Sequence, residues 1–124
     1  MNAKILVVED DMDIRDLLKE FLESVGYEVE VAGNGREALA ALRGPGPAPS
    51  LVLLDRNMDL MDGDLFLDSV AKDPALEPKR IPIVMMSAAG VVADERVAAF
   101  LKKPFNFNEL LAVVARFARE PAKA

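Results

Sequence analysis

Short apolar segments alternate along this chain with stretches whose apolar residues recur at helical spacing. Residues 5–8, 51–54 and 81–86 are continuous apolar runs, and such runs are typical of parallel strands that are buried on both faces. Residues 28–31 alternate charged and apolar side chains, which is typical of an edge strand with one face in water. The pattern predicts three central strands and one edge strand, and residues 100–102 are a candidate for a short fifth strand.

Amphipathic helices are predicted between and after these strands, because apolar residues recur there every three or four positions. Gly26 follows the first helix as a stop signal, and Asn106 precedes the last as a cap, with Glu109 three residues later. The Pro- and Gly-rich residues 44–49 break any helix and predict a loop. The predicted helices cover residues 14–25, 38–42, 65–70 and 110–117.

The alternation of strand and helix predicts a parallel sheet with helices on both faces. Because the alternating strand comes second, we expect the strand order 2-1-3-4-5, which is the order of a flavodoxin-like three-layer α/β sandwich. Strands 1 and 3 are neighbours in this order and their connections leave in opposite directions. A crevice should therefore open at the carboxyl ends of these two strands.

Length and composition exclude several classes of function. The chain has 124 residues, which suits one domain, and we assign residues 1–120 to that domain and residues 121–124 to a tail or linker stub. The absence of cysteine and histidine excludes disulfides, thiolate or histidine metal sites and a Ser-His-Asp triad. The net charge of −6 without a basic block argues against direct nucleic-acid binding. No apolar run approaches the length of a membrane span, so we expect a soluble cytoplasmic protein.

Carboxylates follow two strands that are expected to be neighbours. Glu9 and Asp10 end the first strand and Asp55 ends the third, so their negative charges should repel one another in the crevice. A hard divalent ion such as Mg²⁺ would relieve this repulsion, and so would a lysine, which Lys102 or Lys103 supplies where the fifth strand ends at the same side of the sheet. Ser87 adds a hydroxyl from the fourth strand. Together these groups suit a phosphoryl group, with Asp55 as the natural nucleophile.

Other polar residues near these strand ends have simpler interpretations. Asp11 or Asp13 is expected to cap the first helix or to be solvated. Asp62 with Gly63 is typical of a turn. Met85 and Met86 are expected to fill the core.

Five short motifs, in order along nearly the whole chain, resemble the receiver domain of two-component response regulators. They are residues 5–10 (ILVVED), 53–55 (LLD), 61–63 (MDG), 87–88 (SA) and 103–105 (KPF). The resemblance implies a phosphoacceptor switch of a phosphorelay that performs no reaction on a small molecule. It also implies a histidine kinase or phosphotransfer protein as donor, docking on helix 1 and the neighbouring loops, and an output protein as the further partner.

The resemblance assigns the acidic residues to phosphoryl and metal binding. Asp55 matches the phosphoacceptor and, with Asp10, a direct ligand of Mg²⁺ or Mn²⁺. Glu9 matches the acid that reaches the metal through water. Asn57 matches the position that binds the metal through its backbone carbonyl.

The resemblance also assigns the residues that respond to phosphorylation. Ser87 and Lys103 match the hydroxyl and the ammonium that bind the phosphoryl group, and the Lys103-Pro104 bond is implied to be cis. Phe100 matches the aromatic switch that packs inward when the hydroxyl of Ser87 moves. Asn57 and Ala89 match the positions that tune dephosphorylation, and because Ala89 cannot orient a water we expect slow self-dephosphorylation.

Three features depart from the family pattern. Arg56 stands where an apolar residue is usual, and Asp59 stands where proline is usual. Phe100 lacks the hydroxyl of the commoner tyrosine. The segment 88–99 is short, so its fourth helix should be shortened, with residues 93–99 making about two turns. The usual output face should therefore differ in this chain.

Three alternative functions remain open at this stage. A pseudo-receiver would bind proteins without using phosphate. The unusual loop and the short segment 88–99 favour it, whereas the retained site residues argue against it, namely Asp10, Asp55, Ser87 and Lys103. An aspartate-nucleophile phosphatase would need a second acid two residues after Asp55, where this chain has Asn57. A flavin-binding module would need a hydroxyl- or Gly-rich loop after the first strand, where residues 9–11 are acidic.

Overall fold

The computed structural model describes residues 3–56, 63–74, 76, 81–88 and 96–118, which form one parallel sheet flanked by helices. The sheet has five strands in the order β2-β1-β3-β4-β5, and every neighbouring pair is parallel. This confirms the predicted α/β fold and strand order. The elements are β1 Lys4–Val8, α1 Met12–Ser24, β2 Glu28–Ala32, α2 Gly35–Arg43, β3 Leu51–Asp55, α3 Gly63–Lys72, β4 Ile83–Ser87, β5 Ala99–Lys102 and α4 Phe107–Phe117.

Two predicted boundaries shift for local reasons. β4 begins at Ile83 rather than at residue 81, because Pro82 has no N–H to donate, although its carbonyl accepts from the Val52 N–H at 3.0 Å. Ala99, which was allowed in the shortened fourth helix, lies in β5. Of residues 93–99, where that helix was predicted, 93–95 lie outside the described residues, and residues 96–98 belong to no helix.

Two apolar layers cover the two faces of the sheet. Because successive side chains of a strand point to opposite faces, Ile5 and Val7 of β1 pack with α1 and α4, whereas Leu6 and Val8 pack with α2 and α3. All four side chains are fully buried, as predicted for a central strand. β2 lies at the edge as predicted, and its Glu30 pairs with Lys4 across the strand pair at 2.8 Å.

Polar caps fix where the helices begin relative to the strand ends. An Asp11 carboxylate oxygen accepts from the backbone N–H groups of Asp13 and Ile14 at 2.9 and 3.1 Å, so α1 starts directly after the acids of β1. The Asn106 side chain caps α4 by accepting from the Glu109 N–H at 2.8 Å. Asn106 was predicted as a cap, and Asp11 was one of the two residues considered for the cap of the first helix. Gly26 ends α1 with φ of 103°, a conformation that favours glycine.

Candidate functional site

Three carboxylates converge at the carboxyl ends of β1 and β3. One ligand oxygen from each of Glu9, Asp10 and Asp55 lies within 4.8 Å of the others. Glu9 and Asp55 are buried, whereas Asp10 is exposed. The backbone N–H of Glu9 donates to Ala32 of β2 at 3.0 Å, which fixes the end of β1. The structure thus brings together the acids that the sequence placed in one crevice.

Lys103 reaches this cluster from the end of β5. Its Nζ lies 3.3 Å from Glu9 Oε1 and 3.3 Å from Asp55 Oδ1. Burial alone would lower the pKa of Lys103, but the negative charges of Glu9 and Asp55 outweigh burial and raise it. The Lys103 ammonium therefore remains charged. The peptide bond between Lys103 and Pro104 is cis, as the resemblance implied.

The surroundings of Glu9 make its carboxyl group harder to ionise, as its raised pKa shows. Its side chain is only 1% exposed, and one carboxylate oxygen accepts from the Asp11 N–H at 3.3 Å. Burial, followed by the hydrogen bond and negative charge of Asp55, raises the pKa of Glu9 from 4.5 to about 7. Lys103 and the Asp11 N–H oppose this rise. Burial first, and then the neighbouring Asp55 carboxylate, therefore disfavour the ionised form of Glu9.

This raised pKa predicts a pH dependence of stability in the metal-free protein. Between about pH 4.5 and about pH 7, folded Glu9 keeps a proton that the unfolded chain has released, so the free energy of unfolding falls as pH rises. The loss should total roughly 2–3 kcal/mol by pH 8. The glutamine in Glu9→Gln cannot ionise, so this variant should show little of this pH-dependent loss of stability.

Urea denaturation with a chelator at several pH values measures this dependence. The matched control is Glu28→Gln, since Glu28 is exposed on β2. An unchanged pH slope in Glu9→Gln would show that Glu9 is not the group responsible.

Ser87 and Phe100 lie on the two strands beyond β3. Ser87 is buried at the end of β4, and its carbonyl accepts from the Lys103 N–H at 2.8 Å. Phe100 is half-buried in β5 and packs against the apolar layer beneath α2 and α3. The fold thus places Ser87 at the carboxyl ends of the strands, together with Lys103 and Asp55. Phe100 lies in β5, the strand next to that of Ser87, and its side chain is partly covered.

Several predicted positions fall elsewhere. Asn57, Asp59 and Ala89 lie outside the described residues. Arg56 is half-buried, and its backbone N–H donates to Met86 at 3.0 Å, which continues the β3–β4 pairing beyond Asp55. This hydrogen bond holds the backbone directly after Asp55 against β4.

Gly63 has a packing role that sequence reasoning missed. It was assigned to a turn, but it is the first residue of α3, and its N–H donates to the Arg56 carbonyl at 2.9 Å. A Cβ at Gly63 would lie 2.9 Å from Arg56 Cα and 3.2 Å from the Arg56 carbonyl oxygen. No side chain fits unless the backbone next to Asp55 moves.

Gly63→Ala is therefore expected to lower the free energy of unfolding by about 2 kcal/mol, because it overpacks a contact between two backbone segments. Urea denaturation measures the change. Gly44→Ala is the matched control, since its Cβ would lie 3.4 Å from the nearest atom and its φ is −69°. Equal losses in the two variants would contradict the close approach as the cause.

The donor set at this site fits a hard divalent cation. Three carboxylates face one ammonium, and their oxygens are close enough to share an ion. Mg²⁺ prefers one or a few carboxylates plus waters, and exposed Asp10 leaves room for waters. Lys103 compensates only part of the negative charge, so charge balance favours a bound cation.

Fold and site together define a flavodoxin-like α/β module with an acidic pocket and a lysine at the carboxyl ends of its central strands. Residues 5–115 match the family model described as the response regulator receiver domain. The chain belongs to the receiver-domain family of two-component signalling proteins.

Solved structures of similar proteins support this membership. The chemotaxis response regulator CheY4 of Vibrio cholerae is 32% identical with a TM-score of 0.81, and the match covers 94% of this chain and 98% of that one. The response regulator TrrA of Thermotoga maritima, solved in complex with Mg²⁺ and BeF, is 33% identical with a TM-score of 0.77, over 92% and 97% of the two chains.

Curated relatives are longer than this chain. A probable transcriptional regulator ycf27 of Pyropia yezoensis is 37% identical over 97% of this chain and 49% of its own length. The response regulator Rre1 of a Synechocystis strain is 34% identical over 97% and 54%. The chain thus spans about half the length of these relatives. Within the described residues, no helix is long and apolar enough to cross a membrane.

Proposed function

We propose that this chain is a phosphoacceptor switch in which Asp55 receives a phosphoryl group from a histidine kinase or phosphotransfer protein. The observation that carries the proposal is the contact of one ammonium, Lys103, with two buried carboxylates from different strands beside exposed Asp10. That arrangement holds a nucleophilic carboxylate next to a cation at the carboxyl ends of the central strands. Membership of the receiver family supports the same function.

In the transfer, an Asp55 carboxylate oxygen forms a bond to phosphorus. The phosphorus–nitrogen bond of the donor's phosphohistidine breaks, and its electron pair stays on the imidazole nitrogen. Lys103 neutralises charge on the phosphoryl oxygens, and the Ser87 hydroxyl donates to one of them. Phe100 then packs inward as Ser87 moves, which changes the surface that an output protein binds.

Mg²⁺ or Mn²⁺ would be held by Asp10 and Asp55, by Glu9 through water, and by the backbone carbonyl of Asn57. The bound ion would supply positive charge that shields the acceptor from the phosphoryl oxygens. The complex of TrrA with Mg²⁺ and BeF supports such an ion at this kind of site.

The function is tested by intact-mass spectrometry after incubation with Mg²⁺ and a small acyl phosphate. We expect the mass of one phosphoryl group to be added, and we expect chelation of Mg²⁺ to prevent its addition. If the adduct is too short-lived to detect, NMR can measure the binding of beryllofluoride, a stable mimic of the phosphoryl group. Absence of both the adduct and beryllofluoride binding would favour a pseudo-receiver that binds its partners without phosphate.

Self-dephosphorylation should be slow, because Ala89 cannot orient an attacking water. The measurement is the decay of the added mass once the donor has been removed. A half-life of seconds on the purified protein would contradict this expectation.

We further propose that residues 1–120 form the receiver unit, that residues 121–124 are a tail or linker stub, and that the protein works in the cytoplasm. The output would be altered protein–protein binding rather than direct contact with nucleic acid or membrane. The net charge of −6 supports this view, because it would repel phosphate backbones.

A further inference from the structure

A small pocket lies between α3 and the start of β4, at the end of the sheet opposite Asp55. Its volume is about 220 Å³. Among the described residues, its lining consists of one arginine, Arg96, and six apolar residues. The apolar residues come from α3, from the segment after it and from the entry to β4, and they are Leu67, Val70, Ala71, Leu76, Ile81 and Ile83.

The pocket has a buried apolar wall and an exposed opening. Leu67, Leu76 and Ile83 are buried in the apolar layer beneath α2 and α3, so this wall is held in place by the core. Val70 is half-buried against the same layer, and Ala71 is exposed. Because the wall is formed in advance, little rearrangement is needed when a ligand enters.

Water is a poor occupant of this space. The volume would hold several waters, but a buried water needs about two to four polar partners. The six apolar residues of the lining offer no side-chain donor or acceptor. An apolar group therefore suits the space better than water does.

Arg96 brings a positive charge to this apolar pocket. Its side chain is 33% exposed, and its Nη1 lies 3.7 Å from Asp68 Oδ1, which is longer than a hydrogen bond. Asp68 has a closer cation in Lys72, whose Nζ lies 3.1 Å from Asp68 Oδ2. An anion that pairs with Arg96 would therefore leave Asp68 with a cation of its own.

We propose that this pocket binds a small monocarboxylate whose apolar body fills the space beside α3 while its carboxylate pairs with Arg96. Arginine presents a planar fork of donors that matches the two oxygens of a carboxylate. The pocket is smaller than the roughly 300–1,000 Å³ typical of sites for drug-sized ligands, which limits the apolar body to about one ring or one short chain. The site lies at the opposite end of the sheet from Asp55, so the proposal does not depend on the phosphoacceptor role.

The probes are 3-phenylpropionate, its neutral amide 3-phenylpropionamide, and acetate. Each is titrated into the full chain at neutral pH, and the shifts of backbone amide signals in NMR spectra measure binding. We expect 3-phenylpropionate to bind with a Kd of roughly 0.1–1 mM, as suits a ligand with so few atoms, and to shift the signals of Val70, Ile83 and Arg96. The amide should bind roughly tenfold or more weakly, because it lacks the charge that strengthens the hydrogen bonds to Arg96. Acetate has no apolar body and should cause no such shifts at the same concentrations.

Three variants locate the binding site. Arg96→Met keeps an unbranched side chain but removes the charge, so it should bring the carboxylate and the amide to nearly equal affinity. Arg36→Met is the matched control, since it removes the same charge from an exposed position in the first turn of α2 and should leave the ratio of affinities unchanged. Ala71→Leu puts a larger side chain at an exposed position of the lining, where leucine suits the helix, and should weaken both ligands roughly tenfold.

No binding of 3-phenylpropionate up to roughly 10 mM, or equal affinity of the carboxylate and the amide for the unmodified chain, would overturn the proposal. A preference for the carboxylate that survives Arg96→Met would do the same, and so would signal shifts confined to residues near Asp55. A dimer in sedimentation that Ala71→Leu dissociates would also overturn it, because the apolar wall would then belong to a second copy. Far-UV circular dichroism of the variants without ligand should match that of the unmodified chain, so that a loss of affinity reports on the pocket.

Discussion

Asp55→Asn is expected to reduce the phosphoryl adduct to less than roughly one per cent of that on the unmodified chain, because the amide is a far weaker nucleophile than the carboxylate. Asp55 is buried at the end of β3, and Lys103 Nζ lies 3.3 Å from its carboxylate. Intact-mass spectrometry with a small acyl phosphate and Mg²⁺ measures the loss. Far-UV circular dichroism should show that the variant remains folded.

Asp11→Asn is the matched control for this prediction. It makes the same isosteric change three residues after Val8, the last residue of β1, and asparagine caps a helix about as well as aspartate. Asp11 serves as the cap of α1 and points to the N–H groups of Asp13 and Ile14. The control should form the adduct normally. An adduct of ordinary yield in Asp55→Asn would place the acceptor on another residue.

Lys103→Met is expected to weaken both the fold and the phosphoryl reaction. It would leave buried Glu9 and Asp55 without the ammonium that lies 3.3 Å from each. Removing one partner of a buried ion pair costs 3–5 kcal/mol, and because Lys103 is 26% exposed we expect about 2 kcal/mol at neutral pH without metal. Adduct formation should slow roughly tenfold or more, since the phosphoryl oxygens lose a cation.

Two further variants separate charge from packing at Lys103. Lys103→Arg keeps the charge and should lose less stability than Lys103→Met. In a Glu9→Gln background, Lys103→Met should cost less than it does alone, because one of the two carboxylates has already been neutralised. Urea denaturation of the unmodified chain, Glu9→Gln, Lys103→Met and the double variant measures the coupling between the two residues. Additive effects would show that Lys103 does not stabilise the fold through Glu9.

Much of the fold could be predicted because the strands carry two distinct patterns. The apolar runs of β1, β3 and β4 showed burial on both faces, and the alternation in β2 showed an edge. These patterns fixed the strand order, and the strand order fixed which side chains meet. The convergence of Glu9, Asp10 and Asp55 followed from that order before any distance was known.

The remaining features depend on distances that no local pattern encodes. Gly63 looked like a turn residue, because its close approach to Arg56 arises only when α3 packs over the end of β3. The raised pKa of Glu9 depends on its burial and on Asp55, which lies on another strand. The pocket beside α3 is formed with residues at the entries to β4 and β5, and none of these segments indicates it alone.

The placement of Lys103 also makes the proposed acceptor site depend on the formation of β5. Lys103 lies 94 positions after Glu9 and 48 after Asp55, and the three side chains meet only when the last strand has joined the sheet. During synthesis, β1 and β3 emerge from the ribosome long before the ammonium that will balance their acids. A nascent chain would thus have Asp55, the proposed acceptor, without its cation, and we expect it to be a poor substrate for the proposed phosphodonor until β5 has joined the sheet.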